Sequence, residues 1–144
     1  MQHCRILLAD GHPVLLGVIG RFLSEVPGIQ VVARAGTGSQ AMSLEDLHRP
    51  DLLLMNLVLP DMSGLEVTRR LAAVPWTPRI IVMSLHDEPE YRRAVQAAGA
   101  DGFVLKQDLG TKLLPLIRSL MKTPSRRARA VLEGSVLRAL PLDP

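Results

Sequence analysis

The sequence contains one cysteine, Cys4, and few aromatic residues: one Trp, one Tyr and two Phe among 144 residues. A lone cysteine excludes an internal disulfide and is typical of the reducing environment of the cytoplasm. So few aromatic rings exclude a stacking platform for single-stranded nucleic acid. No apolar run approaches the ~20 residues that span a bilayer, and the N-terminal sequence lacks the layout of a signal peptide. We therefore expect a cytoplasmic protein that does not contact a membrane.

The rest of the composition is that of one folded domain with a short appendage. Hydrophobic residues make up 47% of the chain and charged residues 22%, with a mean hydropathy of +0.19, which is enough to form a core. Residues 1–122 carry thirteen Lys and Arg against twelve Asp and Glu, whereas residues 123–144 carry four Arg against two acidic residues. The sequence thus predicts a nearly neutral domain over residues 1–122 and a basic tail or linker over residues 123–144.

Short apolar runs alternate with segments of helical period along the domain. The apolar runs are nearly continuous, which is typical of strands buried on both faces of a parallel sheet. Strands are predicted at residues 5–10, 29–36, 51–56, 79–84 and 101–106. Helices are predicted at residues 13–26, 39–48, 63–74, 87–99 and 111–122. Five such βα units predict an α/β protein with a doubly wound parallel sheet and right-handed crossovers.

Several helix ends carry local signals. Ser39 is a plausible N-cap of the second helix, and Ser63 followed by Glu66 has the spacing of a capping box for the third. Gly99 is placed to end the fourth helix. Pro115 is tolerable only near the first turn of the last helix, so the start of that helix is poorly defined by sequence.

Polar residues follow or end four of the predicted strands. The first strand ends with Asp10-Gly11-His12, the third with Asn56, the fourth with Ser84 and the fifth with Lys106. In an open α/β sheet, sites form beyond the carboxyl ends of the strands at the point where the strand order reverses. The sequence therefore predicts a pocket that these side chains share.

The segments around these residues resemble the receiver domain of response regulators. They are "RILLADGHP", "RPDLLLMNLVLPDMSGLEVTRRL" and "RIIVMSLHDEPEYRRAVQAAGADGFVLK", and with their spacing they cover roughly residues 4–122. The motif "ADGHP" is similar to that of the subgroup whose receivers precede a LuxR-type helix-turn-helix domain. The resemblance implies a flavodoxin-like fold with strand order 2-1-3-4-5 and five flanking helices.

The resemblance also implies roles for the pocket residues. In that family an acidic pair after the first strand and an aspartate ending the third bind Mg²⁺, and this aspartate accepts a phosphoryl group from a histidine kinase. The first acid, the phosphoryl-contacting hydroxyl, the lysine and the aromatic switch correspond to Asp10, Ser84, Lys106 and Phe103. Gly11 stands in place of the second acid, and Asn56 stands in place of the accepting aspartate.

These two departures predict a pseudo-receiver with a degenerate phosphorylation site and no enzymatic activity. An amide forms no stable acyl phosphate, and Mg²⁺ usually requires one or two carboxylates, so we expect it to bind weakly or not at all. Asp10 and Lys106 leave the pocket without net charge, and we expect them to pair directly or through the Asn56 amide. Asn56 alone could be a polar strand end or turn former, or a deliberate Asp-to-Asn change, but Gly11 argues against the latter.

Four functions are compatible with this sequence. The favoured one is signal transduction through protein–protein contacts, with a partner or a second copy, on the helix 4–strand 5–helix 5 face or the helix 1–helix 5 face. The apolar residues Val14, Ile19, Phe22, Leu116 and Leu120 exceed what one core stripe needs. The others are sensing of a small ligand, conventional phosphorylation at another residue, and DNA binding. Direct DNA binding is not expected, because the tail, compatible with one short helix, is too short for a helix-turn-helix.

Overall fold

A computed structural model of the chain describes residues 3–124. Five parallel strands lie in the order β2-β1-β3-β4-β5, as the resemblance predicts. The strands are β1 (Cys4–Ala9), β2 (Ile29–Ala35), β3 (Leu52–Asn56), β4 (Arg79–Ser84) and β5 (Gly102–Leu105). The helices are α1 (Pro13–Ser24), α2 (Gly38–His48), α3 (Gly64–Ala72), α4 (Pro89–Ala98) and α5 (Leu109–Met121), with a 3₁₀ turn at Lys106–Asp108 before α5.

Each strand of the sheet centre contributes side chains to two separate cores. Successive side chains of a strand point to opposite faces, so Leu7 and Leu53 belong to one cluster while Ile6 and Leu54 belong to the other. The first cluster packs against α2, α3 and α4, and the second packs against α1 and α5. Burial on both faces explains why these strands read as unbroken apolar runs.

The N-cap prediction for α2 is wrong. Thr37 is the N-cap, and its side chain accepts a hydrogen bond from the Gln40 amide at 3.1 Å. Ser39 lies inside the first turn, where its hydroxyl donates to the Asp61 carboxylate at 2.8 Å. A contact with a distant loop therefore occupies the serine hydroxyl that the local sequence had offered as a cap.

The other helix ends agree with the sequence in part. Ser63 does cap α3, but it accepts from the Leu65 amide at 3.0 Å. Glu66 does not complete a capping box, since its carboxylate pairs with Arg69 and Arg70 on the next turn. Gly99 ends α4 with φ of 106°, as predicted.

Pro115 lies at the seventh position of α5, beyond the first turn to which the sequence analysis confined it. The chain enters the helix earlier than predicted, through the 3₁₀ turn after β5. Proline removes the hydrogen bond to the carbonyl of Thr111 four residues earlier. Thr111 and Pro115 are both exposed, so water can satisfy that carbonyl.

The predicted apolar surface of α1 is partly a core face. Ile19 is buried in the second cluster, so its assignment to a contact surface is wrong. Leu116 and Leu120 of α5 are half-buried against the same cluster. Val14 and Phe22 are exposed as expected, and Val18 lies exposed between them, so the three form a stripe at a spacing of four residues.

Helix α5 ends at Met121, and the division into a domain and a tail or linker at residue 122 stays a prediction. The prediction of a short helix in the tail falls beyond residue 124, outside the described residues. Within residues 3–124, no helix is both long enough and apolar enough to cross a membrane.

Gly64 lies so close to the backbone after β3 that it leaves no room for a side-chain methyl group. A Cβ there would lie 2.6 Å from the Asn56 carbonyl oxygen and 3.2 Å from the Leu57 Cα, both backbone atoms. We expect Gly64→Ala to lower the free energy of unfolding by about 2–3 kcal/mol, because the backbone must shift. Urea denaturation followed by circular dichroism measures this change.

Gly17→Ala is the matched control for Gly64→Ala. No atom lies within 4 Å of a Cβ built at Gly17, which is inside α1. Alanine should raise stability there by about 0.5–1 kcal/mol, because glycine is the poorer helix former. Equal effects of the two substitutions would contradict the steric explanation.

Candidate functional site

The polar residues at the strand ends lie along one edge of the sheet, and the side chains of two of them, Asp10 and Lys106, are in direct contact. Asp10 follows β1, Asn56 ends β3, Ser84 ends β4 and Lys106 follows β5. Asp10 and Ser84 are buried, whereas Asn56 and Lys106 are half-buried. We call the group formed by these four residues and Gly11 the strand-end pocket.

Both carboxylate oxygens of Asp10 have partners within the chain. Lys106 Nζ donates to Asp10 Oδ2 at 2.8 Å, and the His12 backbone amide donates to Asp10 Oδ1 at 2.9 Å. The exposed fractions of the Lys106 and Asp10 side chains are 12% and 2%. The two opposite charges therefore neutralise each other in direct contact, which is one of the two arrangements that the sequence left open.

Asn56 takes no part in that ion pair. Its Nδ2 donates to the carbonyl oxygen of Val58 at 2.7 Å, within the loop that follows β3. The alternative in which the amide bridges Lys106 and Asp10 is therefore not the arrangement found. Asn56 instead fixes the turn that leads from β3 towards α3.

Gly11 lies against the same loop. A Cβ at Gly11 would lie 2.9 Å from both Cδ and Cγ of Pro60. A side chain at this position therefore requires the proline ring to move. The sequence shows that an acid is missing here, but not that the loop after β3 closes over the position.

Ser84 is occupied by the turn after β4. Its Oγ accepts from the His86 backbone amide at 3.0 Å and donates to the His86 carbonyl at 3.2 Å. The hydroxyl thus stabilises the turn at the end of β4 through both of these hydrogen bonds.

Phe103 is half-buried against the first core cluster. The Arg92 guanidinium of α4 lies 4.7 Å above its ring centroid, and the same guanidinium pairs with Asp87 at 2.6 Å. A cation over the face of the ring favours this orientation of Phe103. Sequence reasoning missed Arg92, because the contact joins α4 to β5 and depends on their packing.

His12 is the N-cap of α1. Its Nδ1 accepts a hydrogen bond from the Leu15 amide at 3.3 Å, ahead of Pro13 in the first helical position. This contact gives the histidine a role in starting the helix.

Asp61, in the loop after β3, makes polar contacts with the start of α2 that sequence reasoning missed. Its carboxylate accepts from the Gly38 amide at 2.7 Å and from the Ser39 amide at 3.0 Å, at the start of α2. These backbone hydrogen bonds lower the pKa of Asp61 to about 2. These contacts hold the loop after β3 against α2. In the sequence, only the turn-forming segment "PDMSG" indicated that this loop is ordered.

The low pKa of Asp61 predicts a pH-dependent contribution to stability. A depressed carboxyl pKa stabilises the fold fully above the ordinary value near pH 4, and the contribution is lost as the pH falls through about 2. Asp61→Ala should therefore lower the urea midpoint at about pH 6 and have a smaller effect at about pH 3.

Asp46→Ala is the control for this comparison. Asp46 is an exposed acid on α2 whose carboxylate pairs with Arg49 at 3.2 Å, and an exposed pair of this kind contributes little. If Asp61→Ala changed the midpoint no more than Asp46→Ala at both pH values, the contact with α2 would have no energetic weight.

Known proteins resemble this chain over most of its length. Residues 6–118 match the response regulator receiver domain family. The nitrate/nitrite response regulator NarL of Escherichia coli K12 is 38% identical over 101 residues, which cover 70% of this chain and 47% of that protein. The response regulator UvrY of the same strain is 32% identical over 115 residues, or 80% of this chain and 53% of that protein. The chain thus spans about half the length of these curated relatives.

Solved structures give the same fold. The crystal structure of a LuxR-family two-component response regulator from Aurantimonas sp. SI85-9A1 has a TM-score of 0.80 and 28% identity, covering 94% of this chain and 99% of that one. It confirms the flavodoxin-like order 2-1-3-4-5 with five helices. Together with the match over residues 6–118, this means that the chain belongs to the response regulator receiver domain family of two-component systems.

Proposed function

We propose that this receiver domain transmits a signal through protein–protein contacts without phosphorylation of an aspartate. The ion pair of Lys106 and Asp10 carries the proposal, because it neutralises a pocket that offers no carboxylate at position 56. In the family, the aspartate that ends β3 is the nucleophile. The amide of Asn56 is uncharged and a poor nucleophile, so it does not form the stable acyl phosphate that an aspartate carboxylate forms.

The residues of the strand-end pocket do not suit Mg²⁺. The ion prefers an octahedral shell of oxygen atoms that includes one or two carboxylates. Asp10 is the one carboxylate among the pocket residues, and both of its oxygens already accept hydrogen bonds. Within residues 3–124, no three His, Cys, Asp or Glu residues are grouped so that they could hold a metal ion. The proposed function therefore includes no metal-dependent step.

The exposed apolar stripe on α1 supports contact with a protein partner or a second copy. Val14 and Val18 have exposed fractions of 70% and 60%, and Phe22 follows one turn later. Three apolar residues in line on one helix face form a patch that water solvates poorly. Of the two faces expected from the sequence, this observation favours the helix 1–helix 5 face.

Treatment with acetyl phosphate tests the proposed function. We expect the intact mass to remain unchanged after incubation with acetyl phosphate, with or without Mg²⁺. A phosphorylatable receiver domain treated in parallel shows that the reagent is active. A stable added phosphoryl group on this chain, dependent on Mg²⁺, would overturn the proposal, and peptide mapping would then identify the acceptor.

A further inference from the structure

An apolar groove lies at the edge of the sheet opposite the strand-end pocket. Its volume is about 510 Å³, and it runs between the start of β1 and β2 and the last turns of α5. The side chains that give it its apolar character are those of Cys4, Val26, Ile29, Leu114, Ile117 and Met121. Arg118 and Lys122 also line it, and both are exposed.

The groove has no chemistry of its own that points to a reaction. Burial raises the pKa of the Cys4 thiol to about 11, and the nearby Asp51 charge contributes in the same direction. The thiol is therefore protonated at neutral pH and is a poor nucleophile. The groove is therefore an apolar binding surface that carries two positive charges, Arg118 and Lys122.

The last residues of α5 lie at this groove. Met121 and Lys122 line it, α5 ends at Met121, and the remaining residues follow from there. Residues 131–143 contain six large apolar side chains, at Val131, Leu132, Val136, Leu137, Leu140 and Leu142. The same segment carries Glu133 and Asp143 against one arginine, so its net charge is −1.

We propose that residues 131–143 dock into the groove of their own chain. The segment supplies apolar side chains to an apolar surface, and its acidic residues are complementary to Arg118 and Lys122. About ten residues separate Met121 from the segment, and such a length spans up to roughly 33 Å when extended, so the connection does not limit docking. A tethered segment also meets its site at an effective concentration in the millimolar range, ~1 mM or more.

This docking would make α5 a covered surface. A protein that binds the end of α5 must first displace the segment. Its apparent affinity is therefore reduced in proportion to the fraction of molecules in which the segment is undocked. The inference does not rest on the absence of phosphorylation, because the groove and the strand-end pocket lie at opposite edges of the sheet.

The chain of residues 1–144 provides the test, with Cys4 as the reporter. In one variant, Leu132, Val136 and Leu140 are all replaced by Asp, and its control replaces Arg126, Arg127 and Arg129 by Ala. We expect Cys4 of the apolar-to-acid variant to react about tenfold faster with a small thiol reagent at fixed pH. In the parent the docked segment would cover the groove, and with it the thiol, in most molecules. Hydrogen exchange should increase over residues 26–29 and 114–122, whereas the arginine control should match the parent.

A second pair of variants examines the groove side. Met121→Asp should reproduce the faster Cys4 reaction and the faster exchange, and Leu47→Asp, an exposed position on α2, should not. Unchanged exchange and thiol reactivity in the tail variant, with circular dichroism showing an intact fold, would overturn the proposal. Protection that rises with protein concentration, together with a dimer by light scattering, would also overturn it in favour of a second copy.

Discussion

Replacement of Lys106 by Met should lower the free energy of unfolding by about 3 kcal/mol. The substitution leaves the Asp10 carboxylate buried, with the His12 amide as its remaining partner. An unpaired buried charge costs far more than the pair itself contributes, since the carboxylate loses its water without compensation. Urea denaturation with a constant m-value would measure the change.

Two further variants separate the unpaired charge from other effects of Lys106→Met. The double variant Asp10→Asn with Lys106→Met removes both charges and keeps an acceptor for the His12 amide, so it should recover stability to within about 1 kcal/mol of the parent. Lys112→Met removes a lysine that pairs with Asp108 at 3.4 Å but is 70% exposed, and should cost less than about 0.5 kcal/mol. If Lys106→Met and Lys112→Met had equal effects, the ion pair in the pocket would not be a determinant of stability.

The sequence predicted the elements of the fold well because its signals are local. Near-continuous apolar runs identified all five strands to within one residue at either end, and β4 without error. The strand order came from the resemblance to receiver domains, since periodicity does not state which strands are neighbours. Errors arose where tertiary contacts override local preference, as when Asp61 engages Ser39 and leaves Thr37 as the cap of α2.

The sequence predicted that Asp10 and Lys106 would pair, but it did not predict the contacts of the other strand-end residues. The parallel sheet places Asp10 and Lys106 at one edge, and their opposite charges favour a pair, but the sequence left open whether the pair is direct or bridged by Asn56. The direction of the Asn56 amide was open, because one side chain can satisfy its hydrogen bonds in several ways. The closure of Pro60 over Gly11 depends on the path of a loop, which no pattern of residue types specifies.

Rebuilding the phosphorylation site should require more than one substitution. Asn56→Asp supplies the missing nucleophile, but Asp10 is held by Lys106 and no second acid is present. We expect this single variant to bind Mg²⁺ weakly and to take up little phosphoryl group from acetyl phosphate. Adding Gly11→Asp gives the pocket three carboxylates against one lysine, and this should tighten Mg²⁺ binding by at least about tenfold. Calorimetric titration and intact-mass measurement would follow the two changes.

The close approach of Pro60 complicates the double variant and also supplies its control. A Cβ at Gly11 displaces the proline ring whatever side chain it carries, so Asn56→Asp with Gly11→Ala has the same steric effect without the added charge. This control should bind Mg²⁺ no better than Asn56→Asp alone, which would attribute any gain in the double variant to the carboxylate. Full phosphoryl uptake by Asn56→Asp alone would show instead that the pocket lacks nothing but its nucleophile, and that Gly11 and the Lys106–Asp10 pair do not restrain it. The contrast between these variants therefore distinguishes a site that lost one reactive group from a site reorganised around its absence.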